Sequence, residues 1–161
     1  MKRVLKRDEI TEIISGARAC SKKVVFTNGC FDILHLGHIR YLEKASELGD
    51  MLVVGINSDA SVRKLKGEKR PIMGELERAE IISSLRCVDY VTIFDEDTPC
   101  ELLSEIKPNI QVKGGDYVPE TMPEYSIMQS LGGRIVCVAY DVTDTRDSST
   151  TNIIERILEK N

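Results

Sequence analysis

The feature that most constrains this chain is an alternation of short apolar runs with longer amphipathic ones. The uninterrupted runs "KVVFTN", "MLVVGIN", "VDYVTIF", "NIQV" and "RIVCVAY" read as five strands of the kind covered on both faces. After the first, Ile39, Leu42, Ala45 and Leu48 recur at helical spacing until Gly49-Asp50 closes the helix. "ELERAEIISSLR" is a helix ahead of the third strand, and "SSTTNIIERILEK" is a final helix capped by its Ser/Thr cluster. "DEDTPCELLSEI" opens a helix with Thr98 as N-cap, Pro99 at the first position and Glu101 at the third. "SDASVRKLKGEKRPIMG" and the stretch between the fourth and fifth strands read as polar connections. This alternation predicts an α/β fold with a doubly wound, five-stranded parallel sheet and right-handed crossovers. The expected strand order is 3-2-1-4-5, which makes the ends of the first and fourth strands neighbours. Those ends carry "TNG" and "KGGD", where glycines let backbone N–H groups approach a ligand.

Size and charge narrow the class. A chain of 161 residues with 42% hydrophobic content suits one core, over residues 23–161. Residues 1–22 read as a helical extension in which Ile10, Ile13 and Ile14 share a face. The net charge of −4 argues against a nucleic-acid partner. No run has membrane-spanning length, and the N-terminus is too charged for a secretory signal. The five cysteines are odd in number and lack a C-x-x-C pair, so they read as reduced thiols in the cytoplasm, with no protein metal site.

The stretch "FTNGCFDILHLGHIRYL" holds both histidines of the chain. His38 falls in the first turn of the first helix of the alternating pattern, and His35 lies just before it. Backbone N–H groups and the helix dipole make that end attractive to an anion. Two imidazoles there can donate to phosphate oxygens, and Gly37 leaves room for close approach. The stretch is not a Walker loop, and it lacks the glutamate of H-E-x-x-H. The plain alternative is a loop residue and a cap residue with structural bonds only. Cys30 has no obvious base beside it and reads as inert packing.

"TNGCFDILHLGH" resembles the signature of the nucleotidyltransferase superfamily that includes the glycerol-3-phosphate and ethanolamine-phosphate cytidylyltransferases. From about Lys23 to the last helix, "NSDASVRKLKG", "RPI", "RAEIISSLRCVDYVTIFDEDTP" and "VKGGDY" resemble one branch, the adenylyltransferase domain of the bifunctional heptose kinase/adenylyltransferases. The resemblance implies a Rossmann-like HxGH nucleotidyltransferase fold. It also implies transfer of AMP from ATP to a heptose 1-phosphate, with Mg²⁺ and release of pyrophosphate. His35, His38 and a lysine of a mobile segment, here Lys66, would be catalytic. Thr27, Asn28, Gly29, Phe31 and Gly37 would shape the phosphate bed, and Ser149, Thr150 and Thr151 would support it from a second helix start. Asp59, Arg63, Lys113, Gly114 and Asp116 would line the nucleotide crevice.

Several roles stay open on the residues themselves. Asp59 could simply cap a helix, and Arg63 and Lys66 could be solvated charges. Arg70 and Arg78 could meet phosphate or pair with glutamates, Arg146 could serve the acceptor or be a loop arginine, and Tyr117 could face a base or a sugar or merely cover the sheet end. Residues 59–73 are expected to close over bound phosphates. The kinase half of the bifunctional proteins is missing, so the chain is expected to be either a stand-alone adenylyltransferase served by a separate heptose kinase, which Met1 and the charged start favour, or a piece of a longer chain. "AYDVTDTRDSSTT" is longer than the usual segment. Other expectations compatible with the motifs are a sister transferase using CTP with glycerol phosphate or ATP with FMN, or a non-catalytic nucleotide-binding module. A homodimer is expected, with the apolar face of the N-terminal helix docked either on its own domain or at a two-fold interface.

Overall fold

A computed structural model describes residues 3–139 and 149–160. The apolar runs form β1 (Val24–Gly29), β2 (Met51–Asn57), β3 (Tyr90–Phe94), β4 (Ile110–Gly114) and β5 (Arg134–Val138). All neighbours pair in parallel, in the order β3-β2-β1-β4-β5. Thr27 pairs with Val54 on one side and Val112 on the other, so the end of β1 lies between the ends of β2 and β4. The expected reversal of strand order is therefore present.

Successive strand residues point to opposite faces. Val25 joins Tyr41, Leu42, Leu52, Val54, Ile82 and Val112 in one buried cluster, beneath α2 (Leu36–Ser46) and α4 (Glu75–Ser83). Val24 and Phe26 join Val53, Leu102, Leu103, Ile106 and Met128 in the other, beneath α1 (Arg7–Ala19), α5 (Cys100–Ile106) and α6 (Tyr125–Ser130). Ile10 and Ile14 of α1 have no exposed surface, and each such burial contributes ~1.5–3 kcal/mol. The apolar stripe of α1 is thus covered by its own domain, and Ile13 is only partly covered.

Three local expectations need correction. The helix after β3 starts at Cys100, not at Pro99, and Thr98 does not cap it. The Pro99 carbonyl already accepts the first helical bond, from Leu103 N–H at 2.9 Å, which puts Pro99 in the capping position. The basic connection after β2 contains α3 (Asp59–Lys66), capped by the Ser58 hydroxyl, which accepts from Ser61 N–H at 3.2 Å. Only Ser61 and Val62 of α3 are buried, too few to print an apolar period. The polar stretch before β5 likewise holds a single 3₁₀ turn (Pro119–Thr121) and α6, and Ser149 caps α7 (Thr150–Glu159). Residues 140–148, which include Arg146, lie outside the described residues.

Candidate active site

Three strand ends meet above the middle of the sheet, and the loop from β1 into α2 fills the space between them. Phe31, in this loop, has φ 45°, a conformation that costs a side-chain-bearing residue on the order of 1–3 kcal/mol. Its neighbours over-determine it. A β-carbon on Gly29 would lie 2.9 Å from the Phe31 ring, so only glycine lets that ring lie flat there. The same ring meets His38 with centroids 5.1 Å apart. Gly29, Phe31 and His38 therefore form one packed stack at the strand end.

His35 is the N-cap residue of α2, and His38 is in its first turn. Their rings stack with centroids 3.7 Å apart and planes 25° from parallel. Burial pushes the His38 pKa down to about 4, with the neighbouring His35 adding to the effect, and burial lowers His35 as well. Both rings are neutral at pH 7. Each keeps a buried Nδ1 without a hydrogen-bond partner among the described residues. Unpaired buried polar atoms cost about 1–3 kcal/mol each, a cost tolerated where a ligand completes the bonding. Neutral, stacked donors at an open helix N-terminus suit a phosphate group.

Two arginines of the candidate set have internal work. The fully buried Arg78 donates to the carbonyls of Met73 (3.0 Å), Cys30 (2.5 Å) and Asn57 (2.8 Å), and to Asp59 Oδ1 (2.8 Å). It ties the β1 loop, the end of β2, the start of α3 and the loop before α4 into one body. Its carboxylate partner is an aspartate, not a glutamate. Arg70 donates from Nε to Asp32 Oδ2 at 2.6 Å, and the N–H groups of Ile72 and Met73 also bind Asp32. Burial alone would raise the Asp32 pKa, but these donors and the Arg70 charge hold it below the usual carboxylate range. Asp32 is a residue the motif reading passed over. A carboxylate inside an anion-binding loop is itself a signal of an internal cationic partner.

The other expected residues divide between two places. Asn28, Gly29, Phe31, His38, Lys113 and Gly114 line one cleft of about 370 Å³, with Tyr117 and Glu124. The α7 start reaches the same loop, where the Thr150 hydroxyl donates to the Ile33 carbonyl at 3.4 Å. Ser149 accepts from Asn152 N–H, and Thr151 is exposed. Thr27 is turned into the core, its hydroxyl bonded to Tyr41 and to the Val112 carbonyl. Asp59 and Arg63 line a separate groove with Gly74 and Glu75. Gly37 is buried in α2, and Asp116 is exposed. Lys66 is exposed, yet its charge, with those of Arg78 and Arg70, acts on the Cys30 thiol. Burial outweighs these cations and raises the Cys30 pKa, so the thiol is no ready nucleophile. Among the described residues no group of three His, Cys, Asp or Glu side chains could hold a metal ion.

Against this geometry the similarities to known proteins take on meaning. Residues 26–156 match the cytidylyltransferase-like family. The chain is 54% identical over 158 residues to the bifunctional protein HldE of Pelobacter propionicus, covering 98% of this chain and 32% of that protein. It is 53% identical to HldE of Geobacter sulfurreducens, covering 94% of this chain and 30% of that protein. The chain thus spans about a third of the length of the curated relatives it matches. The crystal structure of a lipopolysaccharide core biosynthesis protein from Thermoplasma volcanium is similar at a TM-score of 0.62 and 33% identity, covering 76% of this chain and 99% of that one. A pantoate-beta-alanine ligase from Francisella tularensis shares the fold at a TM-score of 0.60 and 15% identity, covering 100% of this chain and 80% of that one.

Proposed function

The chain belongs to the cytidylyltransferase-like family of nucleotidyltransferases, and from that premise we propose that it transfers AMP from ATP to a heptose 1-phosphate. The products are an ADP-heptose and pyrophosphate, a precursor step for lipopolysaccharide or a related surface glycan. The likeness to HldE proteins and to a lipopolysaccharide core biosynthesis protein supports this choice of acceptor over glycerol phosphate or FMN. The observation that carries it is the stacked, neutral His35–His38 pair at the start of α2.

In the proposed reaction an oxygen of the sugar phosphate attacks the α-phosphorus of ATP in line. A bond forms to that phosphorus as its bond to the β-phosphate oxygen breaks, and pyrophosphate leaves. Negative charge gathers on the non-bridging α-oxygens, where the helix N-terminus and the His35 and His38 N–H groups act as fixed donors. Lys66 stands on the segment bordering this loop, where its charge already reaches Cys30, and offers charge to the leaving pyrophosphate. Asp32 and Arg78 position that segment and touch no reacting atom. With Asp32 and Asp59 taken by arginines, the donor set fits an Mg²⁺ carried in on the ATP phosphates and largely hydrated. When bound, such an ion would offset part of the negative charge of the phosphates. The acceptor comes from a sugar kinase, and the reaction is placed in the cytoplasm with the ATP supply. No helix among the described residues is long and apolar enough to cross a membrane.

The test is pyrophosphate release across ATP or CTP paired with heptose 1-phosphate, glycerol 3-phosphate or FMN. The reading expects ATP with the heptose phosphate to exceed every other pair by at least tenfold. Turnover highest with CTP, or with another acceptor, would overturn it.

A further inference from the structure

The cleft has two ends of different electrical character. At the α2 end are a helix N-terminus and two neutral imidazoles, with the exposed Lys66 on the bordering segment. At the other end, in the last residues of β4, stands Lys113, a cation of the kind that ordinarily holds phosphate. Its charge is already met. Lys113 Nζ donates to Glu124 Oε1 at 2.6 Å and to Asn28 Oδ1 at 3.0 Å. Glu124 is only 4% exposed, in the turn that leads into α6, and no motif marks it. Two residues behind Lys113 on the same face of β4, Gln111 is fully buried with neither amide atom bonded.

From this arrangement we propose that Glu124 is a specificity-determining residue. By cancelling the charge of Lys113, it turns this end of the cleft from a phosphate site into a site for a hydroxyl-bearing ring. A hydroxyl both donates and accepts, so its complement is a donor beside an acceptor, which Lys113, Asn28 and Glu124 supply together. A phosphate accepts only, and the buried carboxylate repels it. Tyr117 adds a flat wall. Gly115, at φ 117°, lets the Tyr117 ring come so close that a β-carbon there would stand 3.0 Å from it, and the 60% exposed ring also lines the cleft. The ring that binds is a polyol, either the ribose of the nucleotide or the acceptor sugar. This inference rests on the proposed transferase reaction for its ligands.

Glu124→Gln, which keeps shape and removes charge, is the test. The KM for ATP or for the sugar phosphate should rise at least tenfold with a smaller fall in kcat, and which KM rises identifies the ring. Inhibition by inorganic pyrophosphate should tighten at least fivefold, because Lys113 is then uncompensated. The double variant Lys113→Met with Glu124→Gln should return pyrophosphate inhibition to the wild-type level. Both KM values and pyrophosphate inhibition within twofold of wild type would overturn the proposal. A raised KM without tighter pyrophosphate would overturn it too, since lost packing alone gives that result. If no sugar phosphate is turned over by wild type, the transferase reading fails on its own. Calorimetric binding of adenosine and pyrophosphate to the same variants then still decides this one, with tighter pyrophosphate expected in Glu124→Gln, and weaker adenosine where the ring is the ribose. Unchanged binding of both would refute it.

Discussion

His38 supplies a perturbation whose size follows from the structure. Its ordinary pKa is 6.5, and burial against Phe31 with His35 stacked on it holds it at about 4 in the folded chain. Between these values the unfolded chain binds a proton that the folded chain refuses. Stability must therefore fall as pH drops through that window, and the effect is absent well above 6.5. Integrated from pH 7 to pH 5, the difference is about 2 kcal/mol from this one group. His38→Asn cannot take up the proton, so its stability should lack this component while sharing every other titration. Urea unfolding of both proteins at the two pH values measures it, as the change with pH in their stability difference. The chain has only 2 histidines, so proton NMR resolves the imidazole titrations directly. Bound ATP should reverse the sign, because a phosphate beside His38 favours its charged form. A stability difference that stays constant from pH 7 to pH 5, or a free-protein His38 titrating near 6.5, would refute the reasoning.

Other consequences are as direct. Arg78→Met strands three carbonyls and Asp59 without their donor and should cost at least ~3 kcal/mol by urea unfolding. Ile14→Ala should cost ~2–5 kcal/mol by the same measure, because α1 packs into its own domain's core. Gly29→Ala, which drives a methyl into the Phe31 ring, should lower turnover at least tenfold by moving His38, with the far-ultraviolet spectrum unchanged. By hydrogen exchange, the Ile72 and Met73 amides should be protected without ligand by their bonds to Asp32. Amides of residues 68 and 69, just past the Gly67 N–H that already bonds the Arg63 carbonyl at 2.8 Å, should gain protection only with ATP and Mg²⁺.

The strands and their order were legible because each is a continuous apolar run between turn residues, the pattern a sheet covered on both faces demands. Helices α3 and α6 were not, since α3 buries only two of its residues and α6 only Met128. At the site, the two histidines were legible from their spacing around Gly37 at a helix start. The partners that set the site's charges were not. Arg70 meets Asp32 across 38 residues, Arg78 meets Cys30 across 48, and Lys113 meets Glu124 across 11. Such pairings are products of the folded topology and leave no periodic trace. The same topology seated Ile10 and Ile14 of α1 inside the domain, where sequence alone had also offered a two-fold interface.

In the proposed reaction the acceptor's phosphate attacks the α-phosphorus of ATP held at the start of α2. Turnover of a sugar phosphate carrying heavy oxygen in its phosphate group, followed by phosphorus NMR, tests that step most directly. Labelled oxygen is expected in the bridge between the two phosphates of the product, with unlabelled pyrophosphate, and neither product should form above a tenth of the wild-type rate in His38→Ala. Formation of ADP with a second phosphate on the sugar, label in the pyrophosphate, or full turnover in folded His38→Ala would contradict it.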